Sequence, residues 1–80
     1  MAGVVWPESI LQLLLELPDY DRNLILRKAD ALQHFPRMYP VRSTGRFRNH
    51  RWFLAGKWIV YYRLVGKTVY VRGLWPARIP

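Results

Sequence analysis

Eighty residues at 9.6 kDa leave room for one small domain, and a hydrophobic share of 51% excludes a generally disordered chain. The absence of cysteine excludes a disulfide framework, two histidines (His34 and His50) argue against a structural zinc, and the longest apolar stretch, Ile10 to Leu17, is broken by Gln12 and Glu16, far short of the roughly 20 residues that cross a bilayer. The net charge of +8 is unevenly placed: all five acids lie between Glu8 and Asp30, whereas residues 41–80 carry nine bases and no acid, which points that half toward a polyanionic or acidic partner.

Along the chain, Val4-Val5-Trp6 reads as a short β segment. Pro7 suits the start of a helix and Glu8 its first turn, near the positive end of the dipole. Ile10, Leu11, Leu14, Leu15 and Leu17 form its apolar face, and Pro18 stops it, which gives a helix over about 8–17. Asp19 or Asp21 is placed to cap a second helix over about 20–35. Leu24, Ile25, Ala29, Leu32 and Phe35 form its buried side, and Pro36 ends it.

After Pro40 the period changes. Residues 46–54, 58–64 and 68–74 are rich in aromatic and β-branched side chains. Ala55-Gly56 and Val65-Gly66 read as the centres of two hairpins. The predicted fold is α+β: an N-terminal α-hairpin packed on a three- to four-stranded antiparallel sheet, as one domain over 1–80. The N-terminus carries no secretory-signal pattern, so a soluble cytoplasmic protein with no membrane partner, no metal and no small-molecule cofactor is expected. A domain this small buries only about 60% of its unfolded surface, so a stabilising partner is expected as well.

With even-numbered loops, Leu54 pairs with Lys57 and Leu64 with Lys67, and strand alternation sorts the side chains. Phe47, Phe53, Trp58, Val60, Tyr62, Val69 and Val71 fall on one face, which should meet the helices. Arg46, Arg48, His50, Trp52, Ile59, Tyr61, Arg63, Thr68, Tyr70 and Arg72 fall on the other, with Arg48 across from Arg63 and with His50, Tyr61 and Tyr70 in one row. Unpaired arginines are too costly to bury, so this face should be open or covered by something acidic. Aromatics interleaved with guanidinium groups suit stacked bases and phosphates, and equally a docked acidic peptide. Arg51 is the misfit on the apolar side and should sit at an edge or meet Glu8 or Asp30. His34, at a helix end, is expected to meet free carbonyls there.

The run Arg51-Trp-Phe-Leu-Ala-Gly-Lys-Trp-Ile-Val-Tyr-Tyr-Arg63, followed by Arg72-Gly-Leu-Trp-Pro-Ala-Arg78, resembles the RelE/ParE superfamily, the toxic halves of bacterial type II toxin–antitoxin pairs. The resemblance implies a cognate antitoxin whose acidic, partly disordered segment folds over the toxin. RelE-like members cut messenger RNA on the ribosome through basic and aromatic residues of the open sheet face; ParE-like members inhibit DNA gyrase and lack that set. The match is closer to ParE. Ile59 stands where RelE-like toxins carry an arginine, and their lysine positions fall near His50 and Trp52. Trp75 and Pro76 replace a His-Gly pair of the ParE ending. On the gyrase reading, Arg46, Arg48, Trp52, Tyr70, Trp75 and Arg78 would bind target or antitoxin. On the ribonuclease reading, His50 and Tyr61 would serve as base and acid, with Arg63 and Arg72 stabilising the transition-state charge. A third reading is a basic nucleic-acid or partner-binding module without toxicity.

Overall fold

The computed structural model describes residues 2–77. A short strand β1 (Gly3–Val5) leads into helices α1 (Glu8–Glu16) and α2 (Asp19–Ala31), and a meander follows of β2 (Arg51–Ala55), β3 (Trp58–Val65) and β4 (Thr68–Pro76). The fold is α+β, with both helices in the N-terminal half. The four strands lie in the order β1-β4-β3-β2. Because β1 runs parallel to β4 while the meander is antiparallel, the sheet is mixed, and this corrects the all-antiparallel expectation. The connection from β1 to β4 runs through both helices and the β2–β3 hairpin, long enough for a parallel pairing.

Each helix starts on a proline whose carbonyl accepts the first helical bond, Pro7 from Leu11 N–H and Pro18 from Arg22 N–H. Asp19 is therefore the first helical residue of α2 and not its cap; it pairs with Arg22. The second helix also ends earlier than its apolar spacing predicts. From Leu32 to His34 the backbone bonds tighten to the i→i−3 pattern, and Phe35 is left 65% exposed outside the core.

Leu14, Leu17, Ile25, Ala29 and Leu32 of the helical half meet Phe53, Ala55, Val60, Tyr62, Val69, Val71 and Leu74 of the sheet in one buried cluster. Burial of the Val, Leu, Ile and Phe side chains among them contributes about 1.5–3 kcal/mol each. Polar bonds fix the helices on the sheet: Trp58 Nε1 donates to Asp21 (3.2 Å), and Lys28 Nζ donates to the Leu54 carbonyl (2.7 Å). Tyr62 is fully buried and donates its hydroxyl to the Pro36 carbonyl (2.8 Å). Burial pushes the Tyr62 phenol up to about 12, although the Arg51 charge works in the opposite direction.

Both hairpins turn on Gly-Lys pairs one residue later than expected. Ala55 faces Trp58 across Gly56-Lys57, and Val65 faces Thr68 across Gly66-Lys67. Gly56 and Gly66 each take φ +60°, the conformation that two-residue hairpin loops ask of glycine at the first central position. Leu54 consequently pairs with Ile59 rather than Lys57, and Leu64 with Val69 rather than Lys67. Because that slip is even, it leaves residues on their expected faces while changing their neighbours.

Two further departures matter for the surface. First, β2 begins only at Arg51; residues 46–50 form a turn and not a strand, so Arg48 does not face Arg63 and His50 joins no cross-strand row. Second, a bulge at Arg72 lets Tyr62 face Val71 while Tyr61 faces Gly73. The extra residue flips the alternation, so that Leu74 points into the core as Val69 and Val71 do. Tyr70 opposes Arg63, and not Tyr61, because the β3–β4 turn closes one residue later than expected.

Candidate functional site

On the sheet face turned away from the helices stand Trp52 and Leu54 of β2, Ile59, Tyr61 and Arg63 of β3, and Tyr70 and Trp75 of β4. The loop before β2 folds back over part of this face. Val41 bridges to Arg51, Arg42 N–H donates to the His50 carbonyl and Asn49 N–H to the Arg42 carbonyl, which closes residues 42–50 into a compact turn. Gly45 (φ +84°) and Asn49 (φ 71°) supply the left-handed conformations that the reversal needs.

This turn delivers Phe47 onto Tyr61. The rings stack at 4.0 Å with 7° between their planes. Phe47 is thus on the opposite face from its expected place in the core, and Tyr61 is left only 8% exposed. The close approach depends on Gly73: a Cβ there would lie 2.8 Å from Phe47 Cζ and 3.0 Å from Trp75 Nε1. Arg42 lies over the Tyr61 ring at 5.8 Å and donates from Nη1 to the Tyr61 hydroxyl (3.4 Å). Arg46 lies 5.8 Å from the ring centres of both Phe47 and Trp75. Arg42, Phe47, Tyr61 and Trp75 border a groove of ≈ 470 Å³ together with Leu54 and Ile59, and Arg46 sits against its Phe47 and Trp75 rings. Its cations and π-faces offer stacking and phosphate contact side by side.

The residues expected to act together are dispersed. Arg46 and Trp75 meet at this groove, and Trp52 stands opposite Tyr61 on the neighbouring strand. Arg48 is exposed on the turn. His50 packs edge-on to Phe47, with Nδ1 3.1 Å from the Arg48 carbonyl. Arg63 lines a different pocket with Arg37 and Arg51. Arg72, the bulge residue, lines a largely apolar groove with Ser9, Ile10 and Leu13 of α1. Tyr70 is exposed beside Arg63. Arg78 lies outside the described residues. Arg51 meets neither Glu8 nor Asp30; its Nη1 donates to the carbonyls of Arg37 (3.3 Å) and Tyr39 (2.7 Å). His34 is exposed beside Phe35, with ring centres 6.4 Å apart.

Sequence reasoning assigned Phe47 to the core and gave Arg42 and Arg37 no role. The signal that would have found them is the Ser43-Thr44-Gly45 run, whose turn residues mark a chain reversal just before residues 46–50. Among the described residues no group of three His, Asp or Glu side chains is placed to hold a metal, and no helix is long and apolar enough to cross a membrane. The chain matches no protein-family model and no curated protein.

Proposed function

We propose that the chain is a toxin of the RelE/ParE type that acts by binding its target, and that a cognate antitoxin neutralises it with an acidic segment. The observation that carries this reading is uncompensated charge. Among the described residues the one ion pair is Arg22–Asp19, so the described bases of the second half form no ion pair with an acid. A surface of that kind favours a partner that brings negative charge, and Arg46, Phe47 and Trp75 add the aromatic and guanidinium anchors usual at interfaces. DNA gyrase is the target favoured by the ParE-like resemblance.

Binding is preferred to cleavage because the residues proposed for acid–base chemistry stand apart. The Tyr61 hydroxyl is engaged by Arg42 and its ring is under Phe47, while Arg63 and Arg72 border other pockets. Expression of the chain in bacteria should arrest growth, and the purified protein should inhibit gyrase supercoiling while leaving translation intact. Cleaved messages at ribosomes, lost on His50→Ala, would establish the ribonuclease reading instead. Normal growth on expression would leave a binding module without toxicity.

A further inference from the structure

At the start of β2 the sheet has a notch. Arg51 pairs with Tyr62, but β3 continues through Arg63, Leu64 and Val65 with only β4 beside it. The notch is a pocket of ≈ 280 Å³ bordered by Arg37, Val41, Asn49, Arg51, Arg63 and Leu64. Three arginines line it, and no Asp or Glu is among its lining residues.

We propose that this notch is a phosphate-binding site. Arg51 is its fixed element. Both of its hydrogen bonds to the carbonyls of Arg37 and Tyr39 leave from Nη1, which pins the side chain and leaves Nε–H and Nη2 as donors. Arg37 and Arg63 are exposed and approach from the loop and from β3. Planar guanidinium forks match the oxygens of a phosphate in pairs, and three of them supply more charge and more donors than a carboxylate's two oxygens use. Asn49 adds a polar wall, held there by its left-handed backbone.

A second pocket of ≈ 230 Å³ shares Arg37 and Leu64 with the first and is bordered also by His34 and Lys67. Two adjoining cationic pockets suit two successive phosphates, so the site binds pyrophosphate more tightly than inorganic phosphate. The phosphates come either from free phosphate compounds or from a nucleic-acid backbone. The site stands whether or not the chain is a toxin.

The test is a titration of the full chain with inorganic phosphate, pyrophosphate and single-stranded oligothymidylate, followed through its backbone amide resonances. Saturable shifts centred on Asn49, Arg63 and Leu64 are expected. Arg37→Gln and Arg63→Gln should each weaken phosphate binding by about tenfold, the usual weight of a charged hydrogen bond, while Arg27→Gln on the exposed side of α2 should not. Arg51 is left intact because it ties residues 37–39 to the sheet. If pyrophosphate displaces the oligonucleotide from these amides, the backbone is the source; if it binds without displacing it, the source is a free phosphate compound. Shifts that fail to saturate, or an equal loss in Arg27→Gln, would mean attraction by net charge alone and would overturn the site.

Discussion

Replacing Gly73 by alanine tests whether Phe47 covers Tyr61. The new methyl would stand 2.8 Å from Phe47 Cζ and 3.2 Å from Cε1, inside any normal carbon contact. Gly73 is buried and its strand is paired with β3, so the aromatic ring must give way. Overpacking of this kind costs about 1–3 kcal/mol. Phe47→Ala removes the obstacle and also the stacked pair, which is itself worth about 0.5–1.5 kcal/mol beyond the area it buries. In the Phe47→Ala background the added methyl has only Trp75 Nε1 left to displace. It also restricts the unfolded chain, a gain of about 0.4–1 kcal/mol, so the second substitution should be nearly neutral there. Urea unfolding followed by tryptophan fluorescence on the four proteins of the cycle gives the coupling directly, and it should reach about 1–3 kcal/mol. Additivity within about 0.5 kcal/mol would refute the stacked cover and reopen Tyr61 as a solvent-facing acid.

Other outcomes follow from single contacts. The Tyr62 phenol ionises near 10 in the unfolded chain and at about 12 in the folded one. The unfolded state therefore loses its proton first, and this residue's share of stability, complete below pH 10, should fall by about 1.4 kcal/mol per pH unit above it. Tyr62→Phe should flatten that alkaline slope relative to wild type while costing about 1 kcal/mol at neutral pH for the lost bond to Pro36; parallel slopes above pH 10 would contradict the assignment. At Asn49, whose φ is 71°, glycine should be tolerated within a few tenths of a kcal/mol, whereas Asn49→Val should cost about 1–2 kcal/mol in thermal unfolding. Trp58→Phe should lower stability by about 1 kcal/mol by removing the indole bond to Asp21, and Asp21→Asn, which keeps an acceptor oxygen, should cost less.

Much of this fold is legible in the residue order because local physics sets it. Pro7 opens the first helix and Pro18 closes it, leucine spacing selects a face, and Gly56 and Gly66 mark the two chain reversals, although each turn centres one residue later than its sequence signal. Alternation along β3 placed Val60 and Tyr62 inward and Arg63 outward independently of the register, since a slip by two residues preserves parity. Charge segregation was equally plain. Contacts between segments distant in the chain were not. The parallel pairing of Gly3–Val5 with β4, the bulge at Arg72, the fold-back of Phe47 over Gly73, and the meeting of Arg37 with Arg51 and Arg63 each join residues that no local pattern links. Composition and periodicity decided which elements form and which side of each is apolar; only tertiary packing decided which arginines share a pocket, because loop closure and bulges redirect side chains without changing any local preference.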